Sequence, residues 1–238
     1  MTLPKLDVPT YTLRVLSTNT DIRYRPFLVK EEKILLVALE SSEGDDITKA
    51  IQQIIENCIV EGNVNVGELP LFDIENIFLN IRAKSIGENS ALSIPCTSET
   101  CEEYTEHNIN LEEIDFVINE NHNTKIELTN SVGVIMKYPS VNGLNDIEIE
   151  AEDEMQQSIN LILACIESVY DDKAEYDFRD YTLQERNDFI ENLTQQQLAS
   201  IQEFFTTMPT LQYELDFKCS VCGTEDIIPI TGLQNFFS

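Results

Sequence analysis

The sequence has no tryptophan, little glycine or proline, and few basic residues. Of its 238 residues, 8 are glycine, 8 are proline and 15 are lysine or arginine. With 42% hydrophobic residues, this composition excludes a disordered acidic tail and predicts a folded chain with a sizeable core. No apolar run is longer than Ile34–Leu39, and residues 1–7 lack the layout of a signal peptide. We therefore expect a soluble protein that is not exported by the general secretory route.

Acidic residues outnumber basic ones by 43 to 15, which gives a formal net charge of −28. Most of the excess lies in residues 96–238, whose net charge is −23, against −5 for residues 1–95. Such a surface disfavours nucleic acid and anionic membranes, because both bind proteins through lysine and arginine. The charge thus predicts protein partners with basic patches, unless it serves solubility alone.

The first part of the chain has the pattern of a small helical unit. Pro26 suits the first turn of a helix over Phe27–Glu40, and a second helix with one apolar face is predicted over Asp46–Val60. A third follows Asp73, and the basic residues Arg82 and Lys84 favour its C-terminal end.

From Ala91 onward, alternating apolar residues and turn residues predict strands. The predicted strands are Leu92–Cys96, Tyr104–Ile118, Lys125–Leu128, Val132–Tyr138, Leu211–Phe217 and Ile227–Ile230. Between the fourth and fifth, an apolar face at helical spacing predicts a helix from about Glu148 to Tyr170. Two shorter helices follow, each opened by a capping box, one starting at Thr182 and one at Thr194.

Four of the six cysteines form two close pairs in turns between predicted strands. Cys96 and Cys101 are separated by four residues, and Cys219 and Cys222 by two, with a glycine directly after Cys222. The other two cysteines, Cys58 and Cys165, fall on the apolar faces of predicted helices. A pair of thiolates in a tight turn can direct both sulfurs to one side, so two such turns would supply the four ligands of a tetrahedral zinc ion.

The spacing predicts one structural zinc ion in a ribbon-like site. Four thiolates fill a tetrahedral shell and leave no open position for water or substrate, as catalytic zinc requires. Two other interpretations stay open: reduced cysteines without metal, and disulfides, which the missing export signal disfavours. His107 is a further residue that can replace a sulfur, although a surface histidine is the simpler interpretation.

No catalytic pattern accompanies the cysteines. The sequence has no nucleophile elbow, no paired-histidine zinc motif and no phosphate-binding loop. The carboxylate clusters lack the spacing and central glycine of a calcium loop, so we interpret them as solvated faces. The sequence therefore predicts no enzymatic activity and no small-molecule substrate.

These observations predict an α+β fold with an inserted region. A helical unit occupies residues 1–90, and a zinc-ribbon-like β module combines two distant segments, 91–146 and 210–238. A helical insertion occupies residues 147–209 between them. The 117 residues between the two cysteine pairs far exceed an ordinary ribbon loop, which is why an insertion is required.

Three blocks of the sequence resemble the baseplate hub assembly proteins of T4-like contractile-tailed bacteriophages. They are residues 23–41, residues 69–88, and the cysteine block 217–223 together with the terminal residues 232–237. The resemblance implies a non-enzymatic protein that helps to build the hub of the tail baseplate in the host cytoplasm, with other hub or tail proteins as partners. It leaves open whether the protein stays in the virion as a structural component or leaves as an assembly chaperone.

A basic and an apolar group of residues are candidates for partner binding. Opposite charge would steer an acidic partner patch to the comparatively basic helical unit, unless these residues pair with glutamates of the same unit. Two terminal aromatic residues are a second candidate anchor, unless they pack on the helical unit. The candidates are Arg25, Lys30, Lys33, Arg82, Lys84, Phe236 and Phe237.

Two other classes of protein compete with this hypothesis. A zinc-ribbon regulatory or nucleic-acid-associated protein would need a basic face near the cysteines, but Glu99, Glu102, Glu103 and Glu106 lie there. A zinc hydrolase would need an open metal position beside a general base.

Overall fold

The structure is a computed structural model that describes residues 6–41, 44–145 and 154–232. It is a mixed α and β protein in which every strand pairing among these residues is antiparallel. The chain divides into two compact units. Unit 1 consists of residues 1–117 and 210–238, and unit 2 consists of residues 118–209.

Among its described residues, unit 1 contains three α-helices and three small sheets. Its sheets have the strand orders β1-β2-β3, β4-β5 and β12-β11-β6. The helices are α1 (Val29–Ser41), α2 (Gly44–Cys58) and α3 (Leu71–Ser85). The strands are β1 (Tyr11–Val15), β2 (Thr20–Tyr24), β3 (Ile59–Glu61), β4 (Asn89–Pro95), β5 (Tyr104–Asn110), β6 (Asp115–Val117), β11 (Thr210–Lys218) and β12 (Glu225–Thr231).

The part of unit 2 that the structure describes contains one four-stranded sheet, with the order β10-β9-β8-β7, and four α-helices. Its strands are β7 (Lys125–Glu127), β8 (Gly133–Met136), β9 (Ile166–Tyr170) and β10 (Glu175–Asp177). Its helices are α4 (Val141–Asn145), α5 (Glu154–Cys165), α6 (Leu183–Glu191) and α7 (Gln195–Thr207). Both predicted capping boxes are present, at Thr182 with Glu185 and at Thr194 with Gln197.

The prediction of one helix over residues 148–170 was wrong at its C-terminal end. Helix α5 ends at Cys165, and Ile166–Tyr170 forms strand β9 between β8 and β10. Within this segment Ile166 and Ser168 are buried and Glu167 is exposed, which is the alternation of a strand. The apolar residues of this segment, such as Ile166 and Val169, also fit the spacing of a helix face. Pairing with β8 and β10 selects the strand conformation instead.

The division into units also differs from the expected segments. Strands β7 and β8, expected in the β module, belong to unit 2 with residues 147–209, and that supposed helical insertion includes β9 and β10. The expected helical unit likewise contains strands β1 to β3. Unit 2 leaves and re-enters unit 1 at Val117 and Thr210, which are register partners in the β6-β11 pair. The insertion therefore begins and ends at adjacent positions of one sheet.

Each unit has its own hydrophobic core. In unit 1, helices α2 and α3 contribute fully buried side chains such as Ile54, Ile77 and Phe78, which join Ile22 of β2 and Leu92 of β4 in one cluster. The core of unit 2 is built from strands β8 and β9 and helices α5 to α7. Cys58 and Cys165 lie in these cores, as their positions on apolar faces predicted.

A buried ion pair joins the start of α1 to the end of α2. The Glu31 side chain has no exposed surface, and its Oε1 accepts a hydrogen bond of 2.9 Å from Arg25 Nη2. Its Oε2 accepts a bond of 2.9 Å from the Leu28 amide, and Arg25 also donates to the carbonyl oxygen of Asn57. Burial alone would raise the pKa of Glu31, but hydrogen bonds from Arg25, Leu28 and Lys30 outweigh it and lower the pKa to about 2.

We predict that Glu31→Gln lowers the free energy of unfolding by about 3 kcal/mol at pH 7, because it leaves Arg25 largely buried without a counter-charge. Since the folded pKa lies below the ordinary 4.5, the carboxylate stabilises fully above pH 4.5, and its contribution disappears as the pH falls toward 2. Urea unfolding between pH 2.5 and 7 measures both effects. Glu32→Gln, at the exposed neighbouring position, is the control and should match the parent. Equal destabilisation by the two variants would contradict the prediction.

Candidate metal centre

The four paired cysteines lie at the tips of two hairpins of unit 1. Cys96 directly follows β4, and Cys101 lies three residues before β5. Cys219 directly follows β11, and Cys222 lies three residues before β12. The hairpins approach each other at these tips, so 117 intervening residues do not separate the pairs in space.

Hydrogen bonds within each tip hold the cysteines in place. The Cys96 amide donates to the carbonyl oxygen of Glu103 at 2.9 Å, and the Cys219 amide donates to that of Thr224 at 2.9 Å. The amide of Gly223 closes the second turn by donating to the carbonyl oxygen of Cys219 at 3.1 Å. Gly223 has φ +75°, a left-handed conformation that favours glycine, which explains the glycine after Cys222.

The four sulfur atoms lie within 4.8 Å of one another. The Cys96 and Cys222 sulfurs are 3.5 Å apart, and those of Cys101 and Cys219 are 3.8 Å apart. Sulfurs bound tetrahedrally at about 2.3 Å from zinc would be about 3.8 Å apart, so the cluster fits such an ion. All four cysteines are free thiols in the structure, and no disulfide joins them.

The two hairpins give their thiols different proton affinities. Hydrogen bonds from the Cys222 and Val221 amides lower the pKa of Cys219 to about 6, and the Thr224 hydroxyl and amide lower that of Cys222. At Cys96 the Ser98 amide favours the thiolate, but burial and the neighbouring thiols raise the pKa to about 12. Cys219 is thus the thiol that ionises most readily near neutral pH, and a divalent cation would displace the protons of the first hairpin.

Contacts beside the cysteines also join the two hairpins. The Ser220 amide donates to the Thr105 hydroxyl at 3.1 Å, and the ring centroids of His107 and Phe217 are 5.2 Å apart. His107 is not one of the clustered residues, so the four sulfurs need no histidine substitute. The sequence analysis missed the roles of Thr105 and Thr224. The available signal was a threonine two to four residues after the second cysteine of each pair, Thr105 at the start of β5 and Thr224 directly before β12.

Comparison with known protein families finds one family that matches nearly the whole chain. The family model described as T4 bacteriophage base plate protein matches residues 8–238. The chain belongs to this family. No curated protein and no solved structure shows significant similarity to this chain.

The basic residues expected to contact a partner have different environments in this baseplate protein. Arg25 is engaged in the buried pair with Glu31, and Arg82 is half-buried. Lys84 pairs with Glu88 and Glu112. By contrast, the Lys30 side chain is 66% exposed while contacting Glu31, and Lys33 is exposed. The two lysines of α1 are therefore the basic candidates available to a partner.

The remaining candidate anchor, Phe236 and Phe237, lies outside the described residues. In the part of the chain that the structure describes, no helix combines the length and apolarity needed to span a membrane. The same part contains one group of three or more side chains suited to binding a metal ion, which is the cysteine cluster.

The turn at Gly223 generates a testable prediction. Gly223→Ala should lower the free energy of unfolding by about 1 kcal/mol or more, because alanine is strained at positive φ. Gly223→Asn should cost less, since asparagine tolerates this conformation better. Open space surrounds the glycine, so steric clash does not explain a difference between the two variants. Urea unfolding measures the free energy of unfolding of both variants. An equal decrease in the two would contradict the explanation by backbone conformation.

Proposed function

We propose that this baseplate protein takes part in assembly of the baseplate hub through protein-protein contacts, and that one structural zinc ion stabilises unit 1. The family match over residues 8–238 is the observation that carries the baseplate role. The hub is inferred from the resemblance of three sequence blocks, which are residues 23–41, residues 69–88, and residues 217–223 together with 232–237. Assembly in the host cytoplasm and a place in the virion tail are both compatible with this role.

The proposed metal ligands are Cys96, Cys101, Cys219 and Cys222. Zinc is the metal that four thiolates at this separation suit best, because it accepts four sulfurs in a tetrahedral arrangement. With all four positions filled by protein, the ion supplies stability and no open site for a reacting water. These features support a non-enzymatic role with a zinc-ribbon-like β module as part of the scaffold.

A zinc-ribbon regulatory or nucleic-acid-associated protein is the alternative. The exposed charged side chains around the first cysteine pair are acidic, at Glu99, Glu102 and Glu103. Beside the second pair, Lys218 is neutralised by Glu225 at 2.7 Å. This surface favours protein partners over phosphate groups, because phosphate binding requires excess positive charge.

We predict one zinc ion per chain in the purified protein and its loss in Cys222→Ser. Cys222 is the most exposed of the four cysteines, so serine removes a ligand without disturbing core packing. Because the unfolded chain has no preformed site for the ion, loss of zinc should lower the free energy of unfolding by about 3 kcal/mol or more. Native mass spectrometry measures the metal, and urea unfolding measures the stability.

Cys165→Ala is the matched control for that experiment. Cys165 is a buried cysteine of the unit 2 core and is not in the cluster, so this variant should keep its zinc even if its stability falls. A parent protein that is monomeric, reduced and metal-free would contradict the zinc proposal. So would a variant with all four cysteines replaced by serine that unfolds like the parent.

The partner role is tested by affinity capture of the tagged protein from phage-infected cells, with identification of the captured proteins. Capture of other hub or tail proteins supports the proposal. Capture of nucleic acid without tail proteins contradicts it and favours the alternative.

We predict that Lys33→Glu weakens this capture while leaving thermal stability unchanged, because Lys33 is exposed and makes no ion pair with another described residue. Lys49→Glu is the control, since Lys49 is an exposed lysine of the neighbouring helix α2 and the charge change is identical. Equal capture by Lys33→Glu and the parent would contradict a role of Lys33 in docking. An equal loss in both variants would indicate a general effect of charge.

A further inference from the structure

Unit 2 concentrates its few basic residues around one cavity. Residues 118–209 contain 5 basic and 18 acidic residues, so most cations of this unit should find a carboxylate nearby. Yet three of the five, Lys137, Arg179 and Arg186, line a single cavity of about 220 Å³. Lys137 follows β8, Arg179 lies in the turn after β10, and Arg186 lies on α6. Three separate elements thus bring positive charge to the same place.

Two of these three cations form no ion pair within the described residues, although the Asp177 carboxylate lies near enough to Lys137 for the lysine to help lower its pKa. Arg179 is paired with Asp177 at 3.1 Å and is largely exposed. By contrast, neither Lys137 nor Arg186 forms an ion pair with any residue that the structure describes. The Nε atom of Arg186 is buried and has no hydrogen-bond acceptor there. A buried donor without an acceptor is unfavourable, so a ligand that supplies an oxygen would be stabilised.

A second cavity, rich in aromatic residues, shares lining residues with the first. Its volume is about 260 Å³, and Tyr176, Phe178, Tyr181 and Phe189 line it. Phe178 and Arg186 belong to the lining of both cavities. An apolar space and a cationic space therefore adjoin at these two side chains.

The acidic residue at the aromatic cavity, Glu185, is already engaged. Its Oε2 accepts hydrogen bonds from the amide and hydroxyl of Thr182 at 2.9 and 2.7 Å in the capping box of α6. This carboxylate is directed toward Thr182 and forms no ion pair with its neighbour Arg186. The positive charge of Arg186 remains available for a ligand.

The size and lining of the cavities indicate the class of ligand. Pockets for drug-sized molecules have volumes of roughly 300–1,000 Å³, so each of these cavities suits one side chain or one small group. The cationic cavity is also lined by Leu163 and Ile166, which favours a carboxylate attached to an apolar body over a fully hydrated phosphate ion. Arginine beside a carboxylate provides strong charge-assisted hydrogen bonds.

We propose that these two cavities together bind a protein segment in which an aromatic side chain lies next to a carboxylate. The aromatic ring would occupy the cavity lined by Tyr176 and Phe189, and the carboxylate would contact Arg186 and Lys137. The proposal rests on the proposed function only in taking a protein as the source of this chemistry. It gives unit 2 a recognition role separate from the cysteine cluster of unit 1.

The test uses N-acetylphenylalanine, which combines a phenyl ring and a carboxylate, as the probe for the intact protein. Binding is followed by NMR through the backbone amide signals around Phe178 and Arg186. N-acetylphenylalanine amide, which lacks the charge, and inorganic phosphate, which lacks the ring, are the two comparison ligands. We expect the amide to bind at least about tenfold more weakly, as expected for the loss of a charge-assisted hydrogen bond. We expect phosphate to cause no saturable shift of these signals.

Variants identify the residues responsible. Lys137→Gln and Arg186→Gln should each weaken binding of the acid several-fold with little effect on the amide. Lys173→Gln is the control, because Lys173 is an exposed lysine of unit 2 that does not line either cavity. If Arg186→Gln unfolds the unit, Lys137→Gln alone decides the outcome.

Three results would overturn the proposal. The acid and the amide could bind equally, phosphate could saturate the site as well as the acid, or Lys137→Gln could bind like the parent. Because the assay uses pure protein, each of these results would leave the zinc and hub proposals intact. The expected result is saturable binding of the acid that is weakened several-fold in both variants and unchanged in Lys173→Gln.

Discussion

The convergence of two hairpin tips at the four cysteines is the constraint on which unit 1 depends. The chain must bring residues 96–101 to residues 219–222 although 117 residues separate the pairs. Pairing of β6 with β11 brings the two segments of unit 1 together, because it places Val117 beside Thr210 at the ends of the inserted unit. After that pairing, the cysteines close only a loop of a few tens of residues. A shorter loop makes the additional entropic cost of closure small.

This arrangement explains how a large insertion is tolerated. Unit 2 has its own sheet and its own core, and both of its ends lie at register partners of one sheet. The described hydrophobic core of unit 1 likewise consists of residues of unit 1. In unit 1 the buried ion pair of Arg25 and Glu31 plays a comparable local role, because it joins the start of α1 to the end of α2. Each unit is stabilised by contacts within itself.

Much of the fold follows from short-range patterns in the sequence. The three helices of unit 1, both capping boxes and the strands next to the cysteines have local signals that the structure confirms. The segment 166–170 did not follow its pattern, because Ile166 and Val169 suit a helix face and a strand equally well. Pairing with β8 and β10 decided between them. Short apolar segments are ambiguous in this way whenever long-range pairing is available.

The sequence by itself determined that this protein folds, that it is strongly acidic, and that its four turn cysteines differ from the two in the cores. These properties depend on residue type and close spacing, which are local. Only the tertiary structure decided that the two cysteine pairs meet, that Arg25 is buried while Lys33 is exposed, and that Lys137 and Arg186 line one cavity. The physical reason is that such contacts join residues far apart in the chain, and strand pairing and core packing select them.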